Sequence, residues 1–219
     1  MNFADVKSMF IPEGEVYIIF DGDGNIIWQK QSGEPYTFLE YITATGTQWI
    51  DTEIQQLDNT FKFEIEASIS SIAANASAYL FSNQGNTSMS IRNSSNRGIA
   101  YARYWNSSQT QLINTTLSTF QTKRTYGLWN NKAYIDSNNY GITARTASSG
   151  GNILVFSQNG SSGASGNIYG FTLEAQGDVI MHLIPAIDND TQEVGMYDEI
   201  SDTFFTNAGS GSFIAGPEI

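Results

Sequence analysis

The chain has 219 residues, a net charge of −12 and no cysteine. Its 40% hydrophobic and 13% aromatic content is typical of a folded chain with a real core and excludes intrinsic disorder. Without cysteine, disulfide and thiolate chemistry are excluded. No apolar run approaches the roughly 20 residues that span a membrane, so we expect no membrane insertion.

Charge is distributed unevenly along the chain. Residues 1–66 carry a net charge of −9, residues 67–145 carry +6, and residues 146–219 carry −9. We expect no nucleic-acid partner for so acidic a chain, although the basic middle could meet another anionic partner.

Residues 1–34 are predicted to form a small β-hairpin module of their own. Short apolar runs that are typical of strands occupy residues 6–11, 15–20 and 26–28. Asp21-Gly22-Asp23-Gly24-Asn25 predicts a hairpin turn, and residues 31–35 predict a linker. Because two or three strands alone are marginal in water, we expect this module to anchor the protein to a larger assembly, with oligomerisation.

Residues 35–219 are predicted to form one all-β domain of two packed antiparallel sheets. Phe63 and Ile65 alternate with Glu64 and Glu66, which is the period of a half-buried strand. Further short strands are predicted at residues 79–81, 89–91, 99–105, 126–129, 133–135, 153–156, 171–174 and 179–184. Segments rich in Ser, Asn, Thr and Gly, such as residues 106–119, are predicted to be loops. The predicted core contains Phe61, Phe63, Ile65, Val155, Phe171, Leu183, Tyr197 and Phe205.

Motifs near the two ends of this domain carry a family resemblance. The sequences HLIPA (182–186), VGMYD (194–198) and FFTNAGSGSFIAG (204–216), with LEYI (39–42) and TGTQWIDT (45–52), resemble laminin-G-like domains of tailed-phage structural proteins. The usual residue at position 49 is tyrosine, so Trp49 departs from the pattern. The resemblance implies a concanavalin A-like, two-sheet antiparallel jelly-roll sandwich over about residues 36–216, with its opening and closing strands side by side.

The same resemblance implies a function. It suggests a bacteriophage virion protein, a tail- or head-appendage adhesin, made in the host cytoplasm and carried on the particle surface. Its partners would be host-surface glycan and, through residues 1–34, other virion proteins. Two alternatives stay open: a structural capsid or tail decoration protein that uses the sandwich for protein contacts, and a glucanase-type hydrolase.

No catalytic residue is assigned from the sequence, and the chain is expected not to be an enzyme. Glu64 and Glu66 have the spacing of glucanase carboxylates but lack the third acid, so a solvated strand face is the preferred interpretation. His182 is the only histidine, and a structural role is preferred for it.

Aromatic side chains beside polar ones give the candidate glycan-binding residues. Sugars stack on rings and bond to polar side chains, and such groups occur at Tyr101, Arg103 and Trp105, and at Trp129 and Tyr134 around a predicted hairpin.

One hypothesis places the seven bases of the middle segment on one cationic side that binds an anionic glycan. They are Arg92, Arg97, Arg103, Lys123, Arg124, Lys132 and Arg145. The alternative is that acids from other strands neutralise them.

No cofactor is required, and calcium is the one candidate ion. Asp188 and Asp190 supply hard oxygen ligands in a short polar turn, as do the residues at 21–25. Tight turns also select Asp and Asn for backbone reasons alone, so both interpretations remain.

Overall fold

The computed structural model describes residues 34–83, 87–104, 108–143, 150–158, 160 and 164–219, and the backbone of three earlier strands. The chain divides into two compact units, Met1–Pro35 and Tyr36–Ile219. In the first unit, Lys7–Met9 (β1), Ile18–Phe20 (β2) and Ile26–Gln29 (β3) form an antiparallel sheet. The predicted turn at residues 21–25 lies outside the described residues.

The second unit is built from strands that occupy most of its described length. In chain order they are Tyr36–Phe38 (β4), Ile42–Thr45 (β5), Ile50–Gln55 (β6), Lys62–Ser71 (β7), Ser77–Ser82 (β8), Ser88–Ser94 (β9), Arg97–Arg103 (β10), Thr110–Thr116 (β11), Arg124–Trp129 (β12), Lys132–Ile135 (β13), Asn138–Gly141 (β14), Asn152–Val155 (β15), Ser165–Ala175 (β16), Asp178–Asp188 (β17), Val194–Asp198 (β18), Thr203–Phe205 (β19) and Ile214–Ala215 (β20). Among the described residues the only helical segment is a 3-10 turn at Leu117–Phe120, so the all-β prediction is confirmed.

These strands form two antiparallel sheets. The smaller has six strands in the order β11-β10-β9-β8-β15-β6. The larger has eleven, with the main order β14-β13-β12-β7-β16-β17-β18-β19, to which β4, β5 and β20 are added. β5 pairs with β20, placing Thr43 opposite Ile214, which confirms that the opening and closing strands lie side by side.

One core fills the space between the two sheets, as in a sandwich. The ring of Phe63 from the larger sheet stacks on Phe81 from the smaller, with centroids 5.1 Å apart, and Phe171 lies 6.3 Å from Phe81. Because these rings come from both sheets, the inward faces meet directly. Burial is confirmed for six predicted core residues: Phe61, Phe63, Ile65, Val155, Phe171 and Leu183.

The other two core predictions need correction. Tyr197 is only half-buried, because its neighbour Met196 takes the inward position on β18 and the Tyr197 ring lies on the outer face, 4.5 Å from Tyr36. Phe205 packs against the core but is only partly buried, since the short strand β19 ends the main strand order of the larger sheet.

The segment 106–119 is not all loop, as its composition had suggested. It contains β11, an edge strand that pairs only with β10 among the described strands. An edge strand with polar side chains such as Thr115 and Asn114 does not need the apolar alternation that marks a half-buried strand, so the pattern missed it.

Candidate functional site

A groove on the outer face of the larger sheet brings rings and polar side chains together and is the candidate site. It begins with β7, whose alternation buries Phe63 and Ile65 and turns Glu64 and Glu66 outward. On the neighbouring strand β16, Thr172 lies opposite Glu64 and Gly170 lies opposite Glu66. Each glutamate therefore lies in a row of outward positions that runs across neighbouring strands.

A bulge in β16 shapes the middle of the groove. The register between β7 and β16 shifts between Ile168 and Gly170, so that Tyr169 and Gly170 both lie between the inward residues Ile168 and Phe171. Bulges commonly re-aim side chains in this way. A Cβ atom added to Gly170 would meet only the Leu183 carbonyl oxygen, at 3.5 Å, so open space lies above this glycine.

Two connected depressions make up the groove. The first has a volume of about 290 Å³ and is mainly polar, and the second, of about 590 Å³, is more apolar. Both are lined by Tyr169 and Ile184, so they are continuous. The first also has Glu64, Glu66, Gly170, Phe171, Thr172 and His182, and the second Phe38, Leu39, Glu40, Lys123, Pro185, Glu199 and Ile219.

Tyr134 orients Glu64. The Tyr134 ring lies across Gly127, where an added Cβ atom would be 1.8 Å from the ring Cζ atom, and its hydroxyl donates to Glu64 Oε2. Burial raises the pKa of Tyr134, and the hydrogen bond and charge of Glu64 and the charge of Glu174 raise it further. The phenol therefore stays protonated and keeps donating to the carboxylate at neutral pH.

Lys123 holds two of the residues that line the polar depression, Glu66 and Tyr169. Its Nζ atom lies 2.8 Å from Glu66 Oε2 and 4.8 Å from the centre of the Tyr169 ring. The ring of Tyr41 meets Tyr169 edge-on, with centroids 5.3 Å apart. Tyr169 is therefore held by a cation and a second ring while it lines the groove.

His182 and Glu199 form the far wall. His182 Nδ1 lies 2.7 Å from Glu199 Oε2, and its backbone N–H donates to the buried carboxylate of Asp198, also at 2.7 Å. Asp198 accepts further hydrogen bonds from the amide and hydroxyl of Ser201. This network sets the turn that carries Glu199 and so positions the imidazole.

The five predicted glycan-binding residues do not form a single site. Trp129 and Tyr134 lie on the larger sheet, and Trp129, which is 47% exposed, stands opposite Lys62 on the outer face near Glu64. Tyr101 and Arg103 lie on β10, on the outward face of the smaller sheet. Trp105 lies outside the described residues.

The cationic side predicted from the sequence is also divided, and in that form the prediction is wrong. Its described members split between the smaller sheet (Arg92, Arg97 and Arg103) and the larger (Lys123, Arg124 and Lys132), with Arg145 outside the described residues. The reason is that β12 and β13 pair into the larger sheet. There, Glu66 pairs with Lys123 and Asp136 pairs with Arg124, as the alternative foresaw.

Of the two predicted calcium ligands, Asp188 uses its carboxylate to bind the backbone of the turn, and Asp190 takes part through its amide. Asp188 Oδ1 accepts hydrogen bonds from the amides of Asp190 and Thr191, at 2.9 and 3.0 Å, and Asn189 accepts one from Thr37. No group of three or more candidate metal-binding side chains occurs among the described residues. The second candidate, residues 21–25, lies outside them.

Sequence reasoning missed Tyr169, Lys123 and the pairing of His182 with Glu199 as parts of one site. These residues come from strands and turns far apart in the chain, and their juxtaposition depends on strand order. A local signal did exist for Tyr169, because in the sequence Ile168-Tyr169-Gly170-Phe171 two residues separate the inward apolar positions, which marks a bulge.

No family model, no curated protein and no solved structure matches the chain. Within the part of the chain that the structure describes, no helix is both long and apolar enough to cross a membrane.

Proposed function

We propose that the protein is a non-catalytic sugar-binding sandwich and that the groove on the larger sheet holds the glycan. The observation that carries the proposal is the combination of a half-buried ring, Tyr169, with fixed polar side chains in one open groove. Binding sites typically join an apolar surface to a few convergent polar groups in this way.

The groove suits a sugar ring chemically. The C–H face of a pyranose stacks on the Tyr169 ring, while Glu64, Thr172 and His182 reach its hydroxyl groups. Tyr134 and Glu199 already hold two of these side chains, so little conformational entropy is lost on binding. Trp129, exposed on the same face, offers a second ring to a longer chain of sugars.

The biological setting that we propose is a bacteriophage particle. The motifs at both ends of Tyr36–Ile219 support a concanavalin A-like jelly roll of the kind found in tailed-phage structural proteins, and host-surface glycan is the ligand that such an appendage needs. Residues 1–34 would then attach the chain to other virion proteins. Copies of the chain on one particle would raise the avidity of weak sugar contacts.

A glycan hydrolase is the second candidate, because the groove contains Glu64 and Glu66 on one face of β7. The Cα atoms of residues two apart on a strand are separated by about 7 Å, and glycosidases use a pair of carboxylates on one bound sugar. However, Tyr134 donates to Glu64 and Lys123 pairs with Glu66, so both carboxylates already have fixed partners. This arrangement favours binding over proton transfer.

A glycan array probed with Gly170→Val tests the proposal directly. The new side chain would enter the groove without a clash, because Gly170 has only one neighbour near its Cβ position. Gly141→Val is the matched control, since nothing lies within 4 Å of a Cβ atom there. We expect the first change to abolish binding to the best glycan and the control to keep it.

Two outcomes would contradict the proposal. One is equal binding by both variants, which would place the ligand elsewhere. The other is hydrolysis of the bound glycan that stops in Glu64→Gln, which would establish the second candidate function instead.

A further inference from the structure

The outer face of the smaller sheet carries a concentration of positive charge. Arg92 on β9 and Arg97 on β10 both point outward and are exposed. Arg92 lies opposite Ile99, so Arg97 is its diagonal neighbour, at about 7–8 Å. Arg103 lies further along the same face, opposite Ser88. We call this surface, formed by the outward residues of β8 to β11, the arginine face.

On this face, Arg92 and Arg97 keep charges that no described carboxylate neutralises through an ion pair. Its four strands contain no Asp or Glu, and among the described residues no carboxylate forms an ion pair with Arg92 or Arg97. The acids of this sheet, Asp51 and Glu53, lie on β6, at the opposite edge.

Arg97 is held in position without loss of its charge. Its Nε atom donates to the side-chain oxygen of Asn114, and its Nη2 atom donates to the Asn114 carbonyl at 3.0 Å. Both acceptors are neutral. The guanidinium group is therefore oriented in advance while its full charge remains available to an anion.

Rings lie beside these cations. Tyr79, Ser90 and Tyr101 stand side by side in one row across β8, β9 and β10. Both tyrosines are half-exposed, whereas Ser90 is fully buried although it points outward, so neighbouring side chains cover it. A surface that joins rings, hydroxyls and arginines matches the alternating apolar faces and anionic groups of a charged sugar chain.

We infer that the arginine face is a second binding site, specific for a polysaccharide that carries carboxylate or phosphate groups. It lies on the sheet opposite the groove, so the two sites do not share residues. The proposal stands on the arginines and does not depend on the function proposed for the groove. Nucleic acid, the other large polyanion, is disfavoured by the net charge of −12.

Binding of the full chain to three polymers tests the inference: polygalacturonate for carboxylates, a phosphorylated dextran for phosphates, and unmodified dextran as the neutral reference. Single-stranded DNA is a fourth probe. The test variant is Arg92→Gln with Arg97→Gln, and the charge control is Lys132→Gln with Arg124→Gln on the larger sheet. The binding of glycan to the groove is measured in parallel, with Gly170→Val as its variant. The two measurements show separately whether the groove and the arginine face bind their ligands.

We expect at least one charged dextran or uronate to bind at low salt and to weaken as salt rises. The Arg92/Arg97 variant should lose about tenfold or more in affinity, and the control less than about threefold. Because a ligand that binds only the folded state raises the melting temperature, the parent should show this rise and the Arg92/Arg97 variant should not. Equal losses in the two variants, tighter binding of DNA, or binding of none of the charged sugar chains would overturn the inference.

Discussion

The outer faces of the two sheets differ in how their charged side chains are arranged. On or beside the strands of the larger sheet, four described pairs of opposite charge occur: Lys62 with Glu174 at 2.5 Å, Lys123 with Glu66 at 2.8 Å, Arg124 with Asp136, and His182 with Glu199 at 2.7 Å. On the strands of the arginine face the described charges are all positive and the remaining polar groups are neutral.

This difference separates structural charges from charges kept for a ligand. Exposed ion pairs contribute little to stability, typically less than about 1 kcal/mol, but they hold side chains in one orientation around the groove. Arg92 and Arg97, which form no ion pair among the described residues, do not stabilise the fold in this way. A surface that retains them across neighbouring strands is therefore better explained by what binds there.

The largest effect is expected where the two sheets meet. Phe63→Ala removes a fully buried ring that stacks on Phe81, so it should lower the free energy of unfolding by about 3–5 kcal/mol. Urea unfolding monitored by tryptophan fluorescence measures the change. Phe38→Ala, which truncates a ring that is 37% exposed, is the control and should cost much less. A loss below about 1 kcal/mol for Phe63→Ala would mean that no shared core joins the two faces.

Loss of one hydroxyl on the outer face of the larger sheet should lower the free energy of unfolding more than the same loss on the arginine face. Tyr134→Phe removes the donor to Glu64 and leaves a half-buried carboxylate without it, at an expected cost of about 1–2 kcal/mol. The matching change on the other face, Tyr101→Phe, should cost less than about 0.5 kcal/mol. Thermal unfolding of the two variants compares the faces directly, and equal costs would show that the Tyr134 contact does not stabilise the groove.

Replacement of one core tyrosine, Tyr126, by phenylalanine should stabilise the protein. The hydroxyl of Tyr126 is buried and has no hydrogen-bond partner among the described residues, so Tyr126→Phe should raise the free energy of unfolding by about 1 kcal/mol. Differential scanning calorimetry at neutral pH would show a higher melting temperature. A lower one would reveal that the hydroxyl is satisfied, for example by water.

The free energy of unfolding should fall at alkaline pH because three tyrosine side chains are buried. Burial is the main cause that raises the pKa of Tyr104, Tyr126 and Tyr134 above the ordinary tyrosine value of 10.0. The unfolded chain releases these protons near pH 10 while the folded chain retains them, so their stabilising effect is complete below pH 10 and is lost as pH rises above it. Urea midpoints between pH 8 and pH 11 measure the loss, which Tyr126→Phe should reduce. A midpoint that stays constant to pH 11 would contradict the burial of these phenols.

The smallest effect concerns the exposed pair of Lys123 and Glu66. Because both side chains are more than 40% exposed, Lys123→Met should change the free energy of unfolding by less than about 1 kcal/mol. Its effect on sugar binding should be larger than its effect on stability, since Lys123 also holds the Tyr169 ring. If stability and binding change in parallel, the pair is structural and does not serve the groove.

The sequence predicts the fold better than it predicts the site. Period-two alternation in 61–66 identifies β7 and its buried rings correctly, because a strand with one face in the core repeats every two residues. Tyr197 was wrongly placed in the core, since pattern alone does not show which of two adjacent large residues, Met196 or Tyr197, points inward.

The site depends on strand order, which periodicity does not contain. Glu64, Tyr169 and His182 lie on β7, β16 and β17, which are neighbours in the sheet although more than 100 residues separate the first two in the chain. For the same reason, Trp129 and Tyr101 looked equivalent in sequence but lie on different sheets. Composition shows that the middle segment is basic, but it does not show that Lys123 and Arg124 have acidic partners whereas Arg92 and Arg97 have none among the described residues.

Mapping of a bound glycan by NMR chemical-shift changes tests the central claim most directly. The protein, labelled with nitrogen-15, would be titrated with the best neutral glycan from the array, and shifts would be read residue by residue. The account predicts that the largest changes cluster at Tyr169, Gly170, Thr172 and His182, with little change at Tyr101. Changes confined to the arginine face, or spread evenly over the sandwich, would contradict it.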